Sequence, residues 1–339
     1  MILYAGNILS KYGYTPTFIE LLTPKLAESF EVKPVSEYKN QVLRMIDMIW
    51  SLLKNRNKIK LVLIDSYSMR AFWYTYILSK MSFYLKIPYV PVLRGGGYSD
   101  RLKKSSGHCR FIFSNSYKNI SPSLFLKSIF EKNGYEVDYI PNFIPIENYR
   151  FKKRNSVKAK LLWVRSFDKT YNPLLAVEIL YRLKSKYPDA ELCMIGPDKD
   201  GTLREVIEKS RELNVNGSLI LTGRLSKKEW LKLSEDYDIF INTTDFDNHP
   251  VSVIEAMALG IPVVTTNVGG IPFLITDRID GLLVPPGDAV VFTETIEKLI
   301  SDSELAGRLS ENSRKKSEEF DWENIREKWI SLIDPVLKN

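Results

Sequence analysis

Along the 339-residue chain, short apolar runs alternate with stretches whose apolar residues recur every three or four positions. That rhythm is the one a parallel α/β sheet imposes. In the first half, Ile2–Ala5, Lys60–Ile64, Tyr89–Leu93, Phe111–Ser114 and Val137–Ile140 read as strands, and Gln41–Leu53, Met69–Leu85 and Pro122–Lys132 as helices. Pro141-Asn142-Phe143-Ile144-Pro145 then leads into Arg150-Phe151-Lys152-Lys153-Arg154-Asn155, a linker-like break. A second series follows: strands Leu161–Val164, Glu191–Ile195, Ser218–Leu221, Ile239–Asn242 and Pro262–Thr266. Its helices are Leu174–Lys186, Leu203–Leu213, Lys227–Glu235 and Val251–Leu259, and Leu305–Glu318 and Trp322–Ile333 close the chain. The economical architecture is α/β, two doubly wound domains over residues 1–150 and 151–320, facing each other across a cleft. Ligands of such sheets bind at the carboxyl ends of the strands.

Composition changes this picture little. At 44% hydrophobic and 26% charged residues the chain is ordinary for a globular protein. Cys109 and Cys193 lie far apart, and with only His108 and His249 beside them a zinc site is excluded. Two free thiols are expected. The chain opens on a strand-like Met1-Ile2-Leu3-Tyr4-Ala5, and no apolar run reaches the ~18 residues of a membrane span, so a cytoplasmic location is expected. Charge is more informative. Residues 1–150 hold 21 Lys and Arg against 11 Asp and Glu, whereas the remainder holds 27 against 30. A basic first half suits anionic phospholipid head groups or phosphate-bearing substrates, although a solvated basic face accounts for it equally well. No nucleic-acid module is present, and no nucleic-acid partner is expected.

The candidate chemistry concentrates between Asp238 and Gly270. After strand Ile239–Asn242 comes the polar loop Thr243-Thr244-Asp245-Phe246-Asp247-Asn248-His249. Pro250 suits the first turn of a helix, and Gly260 with Pro262 suits its stop. Strand Val263–Thr266 then feeds Asn267-Val268-Gly269-Gly270-Ile271-Pro272. In a parallel sheet both loops share one edge, beside a helix start whose Val251 and Ser252 N–H groups can meet a phosphate. Gly269 and Gly270 would let a backbone approach a ligand. Asp247 and Glu255 could face one cleft and accept hydrogen bonds from sugar hydroxyls.

The run Asp247-Asn248-His249-Pro250-Val251-Ser252-Val253-Ile254-Glu255-Ala256-Met257-Ala258-Leu259-Gly260-Ile261-Pro262 resembles the signature of retaining GT-B glycosyltransferases, family 4 in particular. That signature has two acids with seven residues between them, then Gly-x-Pro-Val-Val and a Gly-Gly loop. The resemblance implies that Glu255 binds the donor ribose and that Asp247, where the family usually has Glu, approaches the transferred sugar. Asp is one methylene shorter. Trp163-Val164-Arg165-Ser166-Phe167-Asp168-Lys169 resembles the family's strand-end Arg and Lys, implying that Arg165 and Lys169 hold the donor diphosphate as charge develops on it. Leu221-Thr222-Gly223-Arg224-Leu225 resembles the loop bordering the nucleobase, so Gly223, Arg224 and Leu225 join the donor site with Asn248, His249, Pro250, Val251 and Ser252. Pro141–Ile144 matches the family's interdomain hinge, and Phe320-Asp321-Trp322 resembles the start of a terminal helix, over 321–339, that crosses back to the first domain. The likeness is dense over residues 137–325 and thin before.

In the first half, Gly6 follows the first strand where the family places a glycine facing the donor. Arg94-Gly95-Gly96-Gly97 follows Tyr89–Leu93 and would line the acceptor cleft, and His108 is the one candidate for a first-domain His near the sugar. Asp245-Phe246-Asp247 also spells the Asp-x-Asp by which another glycosyltransferase fold holds a cation. Asp247 already belongs to the two-acid pattern, however, and Arg165 and Lys169 can supply the charge, so neither metal nor other cofactor is expected. The resemblance thus implies two Rossmann-like domains and a retaining, metal-independent hexosyltransferase. Its donor would be a UDP-, GDP- or ADP-sugar and its acceptor a saccharide or lipid-linked saccharide. Cell-surface polysaccharide synthesis at the inner face of the membrane is the expected setting. The alternatives are a nucleotide-sugar epimerase of the same fold and a non-catalytic sugar-nucleotide-binding protein.

Overall fold

The computed structural model describes residues 1–14 and 16–338. The chain divides into two compact units, Met1–Asn142 with Ile325–Asn339, and Phe143–Asn324. The boundary thus falls at 142/143 rather than at 150. The backbone of Ile144 bonds that of Phe320 (N–H to O, 2.9 Å), and Asp321 accepts from the Ile146 N–H at 3.2 Å, which ties residues 143–150 to the second unit.

The first unit is a parallel sheet of β1 (Ile2–Ala5), β2 (Val32–Val35), β3 (Leu61–Tyr67), β4 (Tyr89–Arg94), β5 (Ile120–Ser121) and β6 (Asp138–Tyr139) in the order β2-β1-β3-β4-β5-β6. Its helices are α1 (Phe18–Ala27), α2 (Gln41–Asn55), α3 (Phe72–Tyr84), α4 (Tyr98–Lys104), α5 (Ser106–Ser114) and α6 (Leu124–Lys132). The expected strand Phe111–Ser114 is therefore the end of α5. Cys109, Ile112 and Phe113 are buried while Ser114 is exposed, a spacing of three and four that a strand would not give. Pattern reading also passed over β2, which is four residues long and carries Pro34, tolerable because this strand lies at the sheet edge.

The second unit holds β7 (Lys160–Val164), β8 (Glu191–Ile195), β9 (Leu219–Gly223), β10 (Ile239–Asn242), β11 (Val263–Thr266) and β12 (Leu282–Val284), all parallel, in the order β12-β11-β10-β7-β8-β9. Between and after them run α7 (Pro173–Lys184), α8 (Thr202–Glu212), α9 (Lys227–Leu233), α10 (Val251–Ala258), α11 (Ala289–Ser301) and α12 (Ser303–Glu318), while α13 (Trp322–Lys338) begins in this unit and from Ile325 on belongs to the first. Strand β7 explains why these strands read as unbroken apolar runs. Leu161 and Trp163 enter one buried cluster with Phe167 and Phe292, and Leu162 enters another with Phe240 and Ile254. Both faces of the sheet are covered, so no alternation survives. Cys109 and Cys193 are free and buried, one in each unit, and burial pushes both thiols up to about 11. Among the described residues no helix is long and apolar enough to cross a membrane.

Candidate active site

Read from β9, the second sheet runs β9-β8-β7-β10-β11-β12, which is third, second, first, fourth, fifth and sixth in chain order. The chain reverses direction between β7 and β10, and the loops leaving those strands flank the crevice where doubly wound sheets bind ligands. Arg165 is the first residue beyond β7, and Asp247 lies in the loop after β10. They meet there: Arg165 Nη2 donates to Asp247 Oδ2 at 2.5 Å, the side chains 15% and 13% exposed. The guanidinium also lies over the Tyr171 ring, 5.0 Å from its centre. The other carboxylate oxygen, Oδ1, accepts the His249 N–H at 3.0 Å and fixes the loop's turn.

Threonines hold this loop in place. Thr243 Oγ1 accepts from Trp163 Nε1 at 3.0 Å and lies 2.9 Å from the carbonyls of Tyr171 and Asn172. Thr244 Oγ1 lies 3.0 Å from the Thr170 carbonyl, and Thr266 Oγ1 donates to the Thr244 carbonyl at 2.6 Å. The loops after β7, β10 and β11 are thereby stitched into one body. The glycine pair completes it. Gly270 N–H donates to the Asp247 carbonyl at 2.8 Å. A Cβ on Gly269 would come within 2.2 Å of that same oxygen, and one on Gly270 within 1.8 Å of the Asn248 carbonyl. The bareness expected to admit a ligand is taken up by the neighbouring loop.

Helix α10 begins at Val251 with Pro250 as its N-cap residue and no side-chain cap. Its first amides therefore lack the usual oxygen acceptor. Ser252 Oγ is buried there without a hydrogen-bond partner. His249 packs edge-on against Phe320 at 5.6 Å, and Asn248 is half-buried. One turn into the helix, Glu255 is only 6% exposed. A buried carboxylate requires partners, and it has two: Tyr149 donates its hydroxyl to Oε1 at 2.8 Å, and the Lys227 ammonium bonds the same oxygen. Burial, reinforced by the adjacent carboxylate, pushes the Tyr149 hydroxyl far above its ordinary range. Gly223 ends β9 with φ of 68°, a value glycine tolerates, and turns the chain toward exposed Arg224 and half-buried Leu225.

Lys169 departs from expectation. Asp168 accepts the Thr170 N–H at 2.9 Å and sets up a short helical turn over Lys169–Tyr171. That turn lays Tyr171 against Arg165 and sends Lys169 outward, 73% exposed and 3.5 Å from Glu205 of α8. The expected Arg–Lys pair is an Arg–Tyr pair instead. Asp245 is exposed and accepts from Asn172 Nδ2 at 3.2 Å. Among the described residues no three His, Cys, Asp or Glu side chains form a metal-sized cluster.

In the first unit the named residues are occupied internally. Arg94 is buried, with Nε 3.3 Å from Asp65 Oδ1, Nη1 donating to Asn142 Oδ1 at 2.7 Å, and its guanidinium 3.6 Å from the centre of the Phe18 ring. A Cβ on Gly6 would stand 2.9 Å from Asp65 Oδ2, so Gly6 makes room for that carboxylate. Gly95 and Gly96 form the bend after β4. His108 sits on α5, edge-to-face with Tyr76 at 4.7 Å and Trp73 at 5.4 Å.

The switch-point crevice thus brings together an acid–arginine pair, an uncapped helix start and a buried acid one turn into that helix. The family model for group 1 glycosyl transferases matches residues 145–316, half of the chain and all of the second sheet. The chain belongs to the group 1 glycosyl transferases. An uncharacterized glycosyltransferase of Methanocaldococcus jannaschii is 27% identical over 325 residues, covering 88% of this chain and 87% of that one. The sulfoquinovosyl transferase of Arabidopsis thaliana is 29% identical over 150 residues, 43% of this chain but only 28% of the plant protein. Sucrose-phosphate synthase from Thermosynechococcus elongatus superposes with a TM-score of 0.78 at 16% identity, covering 99% and 98% of the two chains. The Anabaena protein HepE, solved in complex with UDP, gives 0.76 at 14% identity over 98% and 99%. Those likenesses show a GT-B fold.

Within this group 1 glycosyl transferase, three site residues escaped sequence reasoning. Tyr149 lies just ahead of the linker-like run at Arg150, Lys227 opens a helix, and Tyr171 carries no pattern at all. The Ser226-x-x-Glu229 box, with Ser226 N–H donating to Glu229 at 2.8 Å, marked where α9 begins. It gave no sign that Lys227 faces Glu255.

Proposed function

We propose that this chain is a retaining, metal-independent hexosyltransferase whose second unit holds a nucleoside diphosphate sugar. The observation that carries this is the pairing of Asp247 with Arg165 at the switch point, in the loop that leads into the helix burying Glu255 eight positions on. On this reading the donor diphosphate lies on the first amides of α10 and on Ser252, and Arg165 turns from Asp247 toward the phosphates. Its ribose diol takes the place of the Lys227 ammonium on Glu255, and Asp247 accepts from a hydroxyl of the transferred sugar. Gly223, Arg224 and Leu225 border the base. Lys227 is half exposed and anchored only at its tip, so it can swing aside.

In the transfer step the acceptor oxygen bonds to the anomeric carbon from the face the diphosphate is leaving. The bond from that carbon to the diphosphate oxygen breaks, and the acceptor proton passes to the departing diphosphate. Arg165 and the helix amides stabilise the charge that develops there. HepE, similar in fold, has been solved with UDP and with UDP-glucose, which makes UDP-hexoses the first donors to try. A relative from Campylobacter jejuni is named for a diphospho-undecaprenol acceptor, which favours a lipid-linked saccharide presented at the inner face of the membrane. Cell-surface polysaccharide synthesis is the setting that fits both.

The test is melting-temperature screening against UDP, GDP, ADP and their hexose derivatives, followed by product analysis with a lipid-linked or water-soluble saccharide acceptor. A ligand at a hundred times its Kd should stabilise by about 2.7 kcal/mol. Transfer with retained anomeric configuration, lost in Asp247→Ala and Glu255→Ala, is the expected result. Near-full activity in both variants sinks the assignment, and conversion of donor with no acceptor present identifies an epimerase.

A further inference from the structure

Helix α2 is built inside out. Its inward side buries Arg44, Met48, Ser51 and Leu52. The Arg44 guanidinium is satisfied there by the carbonyls of Tyr38 (2.9 Å) and Lys39 (3.0 Å) and by Asn7 Oδ1 (2.6 Å). Val42, Leu43, Ile46, Trp50 and Leu53 meanwhile stand in solvent, each 40–66% exposed. At ~100° per residue these five fall within an arc of about 100°, a continuous apolar stripe. Such a stripe normally faces a core, and a surface patch of this kind marks an interaction site.

The neighbouring helix repeats the arrangement. α3 packs beside α2 and presents Trp73, Phe83 and Tyr84 to solvent, with Met69 exposed just before it. Cations are interleaved with the rings: Lys54 Nζ lies 4.3 Å from the centre of the Trp50 ring, and Lys80 Nζ 5.7 Å from that of Tyr76. From residue 39 to 118 the sequence holds 15 Lys and Arg against 3 Asp and Glu. Arg44, Arg94 and Asp65 are buried, which leaves Asp47 and Asp100 as the acids of this stretch not buried. Apolar and aromatic side chains with lysines among them, on a stretch rich in cations, fit the interfacial zone of a bilayer, where rings sit among head groups and lysines meet lipid phosphates.

We propose that the outer faces of α2 and α3 dock this protein on an anionic phospholipid membrane, with Ile46 and Trp50 entering the head-group layer. This deepens the reading of a membrane-presented acceptor and rests on it for its purpose, though the surface is argued independently of the donor site. The test is flotation of the full chain with vesicles of phosphatidylcholine alone and with phosphatidylglycerol mixed in. The chain should float with the mixed vesicles and not with the neutral ones, and added salt should weaken the binding. The double variant I46E/W50E should bind at least ~10-fold less, because two exposed apolar anchors that would enter the head-group layer become charges. Both side chains lie outside the packed core, so the variant should keep the wild-type melting curve and its response to nucleoside diphosphates.

A wild-type chain that stays unbound, or a double variant that floats as well as wild type, overturns the proposal. So does light scattering that shows a wild-type dimer dissolved by I46E/W50E, since the face is then a contact between copies. A chain that transfers sugar to a water-soluble acceptor yet never floats refutes the docking surface and leaves the transferase standing. One that floats but binds no nucleoside diphosphate keeps the docking surface and removes the transferase.

Discussion

In the first unit Arg94 and Asp65 meet at 3.3 Å with exposures of 9% and 0%, and in the second Arg165 and Asp247 meet at 2.5 Å with 15% and 13%. Both pairs lie at the carboxyl side of a parallel sheet, beside the place where strand order reverses, between β1 and β3 in one and β7 and β10 in the other. The surroundings differ. The first crevice is closed by Tyr4, whose hydroxyl donates to Asp65 at 3.0 Å, by Phe18 stacked on Arg94, and by Gly6 against the carboxylate. The second is bounded by loop backbone and by a helix start without a cap. The same topology thus yields a structural ion pair when side chains fill the crevice, and a candidate ligand site when threonines and glycines hold the walls apart.

The contrast breaks most visibly if the sealed pair is cut. Arg94→Leu should leave Asp65 buried without its cation and cost about 3–5 kcal/mol of stability, read by urea denaturation. Burial already raises the Asp65 carboxyl above its usual range against the opposing pull of Arg94. An acid whose folded pKa lies above its unfolded one loses stability as pH climbs past the unfolded value, near ~4. The deficit of Arg94→Leu should therefore shrink as pH is lowered from 7 toward 5, and a deficit that grows would contradict this account.

The next largest effect should come from the open pair and fall on turnover instead. Asp247→Ala should lower kcat by about 10²–10³ while costing less stability than Arg94→Leu. Steady-state kinetics beside a melting curve distinguish the two pairs, and a large loss of stability in Asp247→Ala would make them alike. Tyr149→Phe should follow. It removes a hydrogen bond to a charged, buried acceptor, worth about 1.5–3 kcal/mol, and should raise donor KM roughly tenfold or more with kcat nearly kept. An equal fall in kcat would give Tyr149 some role other than aiming Glu255. Smallest of all is Lys169→Ala. With its ammonium exposed and facing Glu205, activity should stay within about twofold, and a hundredfold loss would restore the Arg–Lys pair that the family pattern implies.

The strands of the second unit were legible because a sheet covered on both faces needs unbroken apolar runs, and Leu161–Val164 or Ile239–Asn242 have no other use. The acid pair was legible because its spacing, from a loop into the helix that follows it, is local. What escaped was whatever depends on meeting a distant segment. Tyr149 reaches Glu255 across 106 residues of chain, and Lys227 across 28. Nothing in the neighbourhood of either residue encodes the encounter. Phe111–Ser114 failed for a different reason. Three apolar residues and a serine do not fix their own period, and only their continuity with the buried Cys109 shows them to be helical.

The stitching of Thr243, Thr244 and Thr266 to neighbouring carbonyls, with Gly269 and Gly270 pressed on Asp247 and Asn248, bears on how substrate preference can change. Three loops move as one, so an insertion or a larger residue in any of them displaces the acid itself. Diversity that leaves the enzyme working must enter elsewhere. Between Gly223, whose φ of 68° holds the turn, and Ser226, which caps α9, stand exposed Arg224 and half-buried Leu225. A mutant library aimed at Arg224 and Leu225 should return active clones with altered donor preference. One aimed at residues 243–249 should return mostly inactive ones, which makes the β9 loop the place where evolution or an engineer can retune this enzyme.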